Sequence, residues 1–249
     1  MSEIDAICVL AALTMPGVGF SYEQLKSLPL TTQEVIRKYH PTGTGSQVKT
    51  DVKTVPNSSS ISKYCINHTL ENGSLIPIVG FENEIATIFE VLSRKAKCNL
   101  LVIGESGVGK TALFKGFVHR LITKNVPQSL KNCAAFELDL GAIATRASYN
   151  GEVEDRARSV FDAIEECENA VLIIESVEKL FDAQNSLFGI SNILKQKLND
   201  GRLRILCSST IDGYTKYIEK DKEFVRQLDK ITIDQPNQEQ CFLQLHRQS

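Results

Sequence analysis

The stretch GESGVGKT, residues 104–111, matches the pattern G-x(4)-G-K-[S/T] at every position. Its glycines allow the backbone to curl so that successive N–H groups point inward at a phosphate. A helix-like stretch follows, and the positive N-terminal end of a helix attracts the same anion. Lys110 adds a point charge for the outer phosphates, and the Thr111 hydroxyl can bind Mg²⁺. We therefore expect a phosphate loop that binds ATP or ADP with Mg²⁺ through Gly104, Glu105, Ser106, Gly107, Val108, Gly109, Lys110 and Thr111.

A second stretch, VLIIESVEKL at residues 171–180, bears on whether a bound nucleotide is hydrolysed. After an apolar strand in a nucleotide hydrolase, one expects Asp for the metal and then Glu to activate water. Here the strand ends in Glu175 and Ser176. Glu175 is one methylene longer than Asp and still reaches a metal directly or through water, so Thr111 and Glu175 are the predicted Mg²⁺ ligands.

Ser176 is the weak point of this predicted site. A serine hydroxyl is a weak base and is too short to replace Glu, and the loss of a general base costs about 10²–10⁴-fold in rate. Glu178 lies beyond the strand end and can act as a substitute base only if the loop follows an unusual path. The other interpretation is that this stretch is a plain strand edge with no relic of catalysis.

The pattern of apolar segments predicts the scaffold that holds these residues. From about residue 75, short apolar runs alternate with amphipathic helical stretches; the runs are residues 99–104, 134–140, 170–175, 204–209 and 230–234. Strands that alternate with helices predict a parallel sheet covered on both faces, a three-layer α/β domain. Residues 1–40 are predicted to form short helices, and residues 41–62, rich in Gly, Pro, Ser and Thr, a linker.

Composition excludes several classes of function. The 249 residues carry a formal charge of −2, and neither half is strongly basic, so we expect no nucleic-acid partner. Apolar runs stay below the roughly 18 residues of a membrane span, so we expect no membrane partner. The seven cysteines are scattered without a C-x-x-C pair, which predicts buried thiols in the cytoplasm or another reducing compartment.

From about Ile61 to Pro236 the chain resembles the first ATPase module of the Clp-type unfoldases and disaggregases, within the AAA+ class. The phosphate loop and three further stretches carry the resemblance. These are KYCINHTLENGSLIPIVGFENEI, ELDLGAIATRASYNGEVEDR and STIDGYTKYIEKDKEFVRQLDKITI. The resemblance implies a large AAA+ ATPase domain at residues 63–236 and the start of a truncated lid helix at 237–249. It also implies half of a substrate- or adaptor-binding N-terminal repeat at residues 1–40.

The resemblance also implies roles for individual residues. Val79 and Gly80 belong to the segment that lies against the adenine. Tyr149 takes the aromatic position of a pore loop that grips protein substrates, and Thr210 takes the position of the polar sensor. Arg226 takes the position of an arginine finger that acts on a neighbouring subunit, which makes it a second candidate catalytic residue beside Glu178.

The departures from the family pattern concern hydrolysis above all. The family's metal Asp falls on Glu175 and its catalytic Glu falls on Ser176. Gln227 replaces the second arginine finger, and Leu228 replaces the aromatic residue that usually follows. Beside the pore tyrosine, Ser148 and Asn150 replace residues that are often basic.

These observations favour an ATP-binding AAA+ module related to Clp chaperones, with weak or absent hydrolysis. Its expected partners are nucleotide, protein substrates and the subunits of an AAA+ ring. One alternative is an active, ATP-hydrolysing chaperone subunit that uses Glu178 or a neighbouring chain. The other is a non-enzymatic interaction protein on an AAA+ scaffold.

Overall fold

The computed structural model describes residues 59–69, 81–145, 147 and 151–234. The described residues lie in one compact unit, Val52–Ser249. The predicted helical segment 1–40, most of the linker 41–62 and the segment 237–249 lie outside the described residues. The same holds for five residues singled out from the sequence: Val79, Gly80, Ser148, Tyr149 and Asn150.

A six-stranded sheet forms the middle layer of the described part. Its strands are β1 (Cys65–Asn67), β2 (Leu100–Gly104), β3 (Ala134–Leu138), β4 (Ala170–Ile174), β5 (Ile205–Ser209) and β6 (Asp229–Ile233). Their order across the sheet is β1-β3-β4-β5-β2-β6. The five strands from β2 to β6 are parallel and coincide with the five predicted apolar runs to within two residues. The predicted α/β class is confirmed.

The edge strand β1 corrects the prediction of a purely parallel sheet. It pairs antiparallel with β3, so that Ile66 lies opposite Glu137. Beyond the strand, the imidazole Nε2 of His68 lies 2.6 Å from Oε2 of Glu137 and fastens β1 to β3. Three residues are too few for an alternating apolar pattern to show, which is why the sequence did not signal this strand.

Helices cover both faces of the sheet. They are α1 (Ser59–Tyr64), α2 (Glu82–Leu92), α3 (Lys110–Ile122), α4 (Leu140–Ala144), α5 (Glu152–Glu165), α6 (Ile190–Asn199), α7 (Ile211–Gly213) and α8 (Lys222–Arg226). Short 3₁₀ turns span Gln128–Leu130 and Val177–Leu180, and a π-helical turn spans Tyr214–Ile218. None of the described helices has the length and apolar character of a membrane span.

The two faces of the sheet belong to two separate apolar clusters. Leu100 and Val102 of β2 pack with α2 and α3. Leu101 and Ile103 of the same strand pack with α5 and α6 on the other face. This alternation follows from the period of two residues along a strand. The expected apolar face of α5, which includes Val153, Ala157, Val160 and Ile164, is buried in the second cluster.

Asn99 joins three strands at the amino edge of the sheet. Its side-chain Oδ1 accepts a hydrogen bond from the Ile205 amide at 3.0 Å, and its Nδ2 donates to the Gln227 carbonyl at 3.2 Å. Its own carbonyl accepts from the Asp229 amide at 2.9 Å. The side chain is 4% exposed, so these bonds replace water for both of its polar atoms. Asn99 thereby fixes where β5 and β6 begin relative to β2.

The described cysteines are all free thiols. Cys133 and Cys207 are buried as expected, whereas Cys65, Cys98 and Cys167 are half-buried. Burial raises the pKa of the Cys133 thiol to about 12, and burial together with the charge of Asp139 raises the pKa of Cys65 to about 12. These two thiols therefore stay protonated and unreactive at neutral pH.

Candidate nucleotide site

The predicted phosphate loop joins the carboxyl end of β2 to the start of α3. Glu105, Ser106 and Gly107 are exposed at its tip, while Val108 is buried beneath it. Gly109 ends the loop with φ of +108°, a left-handed conformation that favours glycine. The thirteen-residue helix α3 begins at the next residue, so its free N–H groups and positive dipole end face the loop.

The start of the loop is seated on the last residue of β6. Gly104 pairs with Ile233 across the sheet. A Cβ at Gly104 would lie 2.8 Å from the Ile233 carbonyl oxygen and 2.9 Å from Cγ1 of Val108. Only glycine allows this close approach, so the motif's first glycine serves packing as well as loop curvature.

Lys110 lies across the mouth of the loop. Its ammonium group donates to the carbonyl oxygens of Gly104 at 2.8 Å and Glu105 at 2.7 Å. Three donors on a flexible stem let the same ammonium turn towards a phosphate while keeping part of these contacts. The ammonium is thus held at the start of the loop.

The two predicted metal ligands lie next to each other. The Thr111 hydroxyl at the start of α3 donates to Oε2 of Glu175 at the end of β4, at 3.1 Å. Adjacent oxygen ligands of an octahedral Mg²⁺, each about 2.1 Å from the metal, lie about 3 Å apart. The pair therefore has the chemistry and the spacing of two Mg²⁺ ligands. The described residues include no cluster of three or more His, Cys, Asp or Glu side chains suited to a metal ion.

Ser176 follows this pair in an unusual backbone conformation. Its φ is +54° and its ψ is 49°, the left-handed region that non-glycine residues rarely adopt. Its amide donates to the hydroxyl of Ser208 on β5 at 3.3 Å. The turn at Ser176 directs the chain from β4 into the 3₁₀ turn that contains Glu178.

Glu178 packs beneath the turn that follows β5. A Cβ at Gly213 would meet Cγ of Glu178 at 2.6 Å. Burial raises the pKa of the Cys207 thiol and the negative charge of Glu178 raises it further, which puts this carboxylate near Cys207. Cys207 belongs to the apolar cluster of α5 and α6, whereas α3 packs on the other face of the sheet. Glu178 thus packs against the segment that follows β5, where the Thr210 hydroxyl also lies against Gly213.

Thr210 stands directly after β5, at the same edge of the sheet as the phosphate loop. Its hydroxyl oxygen accepts from the Gly213 amide at 3.0 Å and caps α7. The hydroxyl proton remains available as a donor, because the cap uses only the oxygen. The position suits the expected polar sensor.

Arg226 lies at the opposite edge of the sheet. It ends α8, three residues before Asp229, which pairs with Leu100 at the start of β2. Gly104 is four residues further along β2, or about 13 Å at 3.3 Å per residue. Arg226 is exposed and makes no hydrogen bond or ion pair within the described part of the chain. It therefore lies too far from the phosphate loop of its own chain to contact a phosphate bound there.

The helix that carries Arg226 is firmly held. Asp221 caps α8 by accepting from the Phe224 amide at 3.0 Å, and its other oxygen lies 2.8 Å from the Lys195 ammonium. Gln227 donates to Asn199 at 2.6 Å. Gln227, which stands where a second arginine is expected, is thus engaged within its own chain.

The sequence did not indicate one residue beside the loop, Phe81. Its ring carbon Cζ would lie 2.9 Å from a Cβ at Gly109. The sequence held one sign of its importance, because Phe81 directly follows the predicted adenine segment Val79–Gly80. Its contact with a residue 28 positions away could not be predicted without the fold.

The chain is similar to a nucleotide-binding family and to proteins of the Clp type. The family described as SMAX1 nucleotide binding domain matches residues 77–180. Chaperone protein ClpB of Bacteroides thetaiotaomicron is 35% identical over 234 residues, which is 92% of this chain and 27% of that protein. The negative regulator of genetic competence ClpC/MecB of Bacillus subtilis is 34% identical over 92% of this chain and 29% of its own length.

Solved structures give the same result. The Saccharomyces cerevisiae Hsp104–ADP complex matches 75% of this chain and 27% of that chain, with 35% identity and a TM-score of 0.68. A closed state of Hsp104 with ATPγS and casein matches 76% of this chain and 33% of that chain, with 36% identity and a TM-score of 0.69. The chain spans roughly a quarter of the length of these curated relatives. The fold, the assembled phosphate loop and these similarities together identify the chain as carrying a Clp-type AAA+ nucleotide-binding module.

Proposed function

We propose that the chain binds Mg²⁺–ATP or ADP at the phosphate loop and hydrolyses ATP weakly or not at all. The observation that carries this proposal is the contact between Thr111 and Glu175 beside Lys110, followed directly by Ser176 where a carboxylate would activate water. The side chains suited to bind the nucleotide and its metal lie together, whereas Ser176 replaces the carboxylate that would activate water.

The placement of Glu178 supports the absence of hydrolysis. A general base must lie within hydrogen-bond reach of the water that it activates, directly or through one further water. Glu178 packs against Gly213, and its charge acts on the buried thiol of Cys207. The alternative of an active enzyme that uses Glu178 would need this side chain to leave its packed position.

Arg226 supports a role next to other AAA+ subunits. A positive charge that is exposed, held on a capped helix and distant from its own phosphate loop suits a γ-phosphate bound by a neighbouring chain. We propose AAA+ ring subunits, and protein substrates handled by such a ring, as the partners. The relatives named above are chaperones and a regulator by name, which is the basis for this class of partner.

The binding test is titration calorimetry with Mg²⁺–ATP and Mg²⁺–ADP. Lys110→Ala should abolish binding that the wild-type protein shows in the micromolar range. Lys115→Ala is the matched control, because Lys115 is exposed on the same helix and lies away from the loop tip. Equal binding by the wild type and Lys110→Ala would refute the phosphate-loop assignment and favour the non-enzymatic interaction protein.

The hydrolysis test is steady-state phosphate release over a series of protein concentrations. The wild type should be near background, and Ser176→Glu alone should not rescue hydrolysis fully, because Gln227 still lacks the second positive charge and a single chain cannot supply Arg226 to its own site. Combining Ser176→Glu with Gln227→Arg should release more phosphate, and increasingly so at high concentration, since the arginines act on another chain. A wild-type rate near one per second, within the usual range of about 1–10³ s⁻¹, would overturn the binding-only proposal.

A further inference from the structure

We propose that Phe81 is a positioning residue of the nucleotide site, which acts by supporting the phosphate loop at Gly109. The inference rests on the proposed nucleotide binding and names a residue that determines its strength. It is based on the contact between the Phe81 ring and Gly109, the last residue of the loop.

The phosphate loop has two supports and an unsupported tip. At its start, Gly104 lies against Ile233 and Val108. At its end, Gly109 lies against the Phe81 ring, whose Cζ and Cε2 would be 2.9 and 3.5 Å from a Cβ at that position. Between the supports, residues 105–107 are exposed. The position of the amides at the end of the loop therefore depends on what stands behind Gly109.

Phe81 is well placed to be that support. It is 7% exposed and belongs to the same apolar cluster as Val108, Ile85 and Leu113. Its carbonyl accepts from the Ile85 amide at 2.9 Å, which fixes the residue at the start of α2. The tip of the ring occupies the volume that a side chain at residue 109 would fill, so the left-handed Gly109 backbone lies against the Cζ edge of a rigid ring.

This arrangement has a consequence for binding. A phosphate cradle binds tightly when its N–H groups already point to the anion, because little ordering is then needed on binding. Removal of the ring leaves a cavity behind Gly109 and lets the loop move. The ring touches the loop and not the phosphates, so its loss should weaken every ligand that uses the cradle.

The test compares Phe81→Ala and Phe81→Leu with the wild type, and Phe89→Leu is the matched control. Phe89 is 6% exposed in the same cluster, on α2, but it packs on Phe117 with ring centroids 5.4 Å apart. Affinity is measured by calorimetry for Mg²⁺–ATP and for Mg²⁺–tripolyphosphate, which has no base or sugar. Thermal denaturation of each variant without ligand identifies the temperature at which all are folded.

We expect Phe81→Ala to weaken the binding of ATP and of tripolyphosphate by the same factor of about 10–100, the size of loss known for residues that orient metal ligands. Phe81→Leu should show a smaller loss, and Phe89→Leu should bind like the wild type. A loss confined to ATP would mean that the ring contacts the base, and equal losses in Phe81→Leu and Phe89→Leu would mean a general effect of destabilisation. Either result, or unchanged binding in Phe81→Ala, overturns the inference. A wild type that binds neither ligand refutes the proposed function itself, which distinguishes the two failures.

Discussion

Asn99 offers the sharpest stability prediction, because its amide is nearly inaccessible and serves two other segments of the chain. Asn99→Ala removes the acceptor for the Ile205 amide and the donor for the Gln227 carbonyl. Ile205 is 0% exposed, so its amide would lose its partner without gaining water.

The size of the effect follows from these two bonds. A buried polar group left without a partner costs about 1–3 kcal/mol, and the two groups differ in burial, so the sum is about 2–4 kcal/mol. For a domain of this size that free energy corresponds to a fall in Tm of about 4–16 °C. Any misalignment of β5 and β6 relative to β2 would destabilise the protein further.

The assay is urea and thermal denaturation of the wild type, Asn99→Ala and the control Asn83→Ala. Asn83 is exposed on α2, so its replacement should change stability by less than about 0.5 kcal/mol. Amide hydrogen exchange at Ile205 should accelerate in Asn99→Ala and stay slow in the control. A loss below about 1 kcal/mol, or unchanged protection of the Ile205 amide, would refute the reasoning.

Three further predictions concern other contacts. Arg156 donates from Nη1 to the carbonyls of Ile143 and Thr145, both at 2.7 Å, and from Nη2 to Oε1 of Glu152 at 2.5 Å. The single ammonium of Lys cannot replace two separate nitrogens, so Arg156→Lys should lower the unfolding free energy by about 1–3 kcal/mol in urea denaturation, with Arg158→Lys unchanged. Burial opposes ionisation of Asp221, but bonds from Lys195 and the Phe224 amide outweigh it and lower its pKa. A lowered pKa stabilises the fold above the unfolded value of about 4 and this contribution is lost as the pH falls below it, so the stability gap between wild type and Asp221→Asn should shrink from pH 7 to pH 3. One carboxylate oxygen of Glu178 is buried without a hydrogen-bond partner in the described part of the chain; Glu178→Leu should therefore leave stability unchanged or raise it, and Glu178→Gln should leave phosphate release unchanged.

The phosphate loop and its flanking elements could be predicted because their signals are local. A glycine-rich turn between an apolar strand and a helix is written in consecutive residues, and the contact between Thr111 and Glu175 follows once β2 and β4 belong to one parallel sheet. The central strands could be predicted equally well, since each is a short, largely apolar run of five residues.

What the sequence did not reveal depends on contacts between distant residues or on single torsion angles. The direction of Glu178 follows from the left-handed turn at Ser176, and serine gives no signal for that conformation. The three-residue strand β1 exists because β3 offers it a partner. Phe81 reaches Gly109 only after α2 and α3 have packed on the same face of the sheet.

The separation of Arg226 from Gly104 leaves two kinds of symmetry for an assembly in which the arginine acts on a second copy. The donor lies at the amino end and the acceptor at the carboxyl end of the parallel strands, about 13 Å apart along β2. A two-fold dimer would use both contacts within one closed pair, whereas a head-to-tail contact leaves one free donor and one free acceptor after each addition. Such a head-to-tail series of copies either closes into a ring or grows as an open helix, and the angle between neighbouring copies decides which.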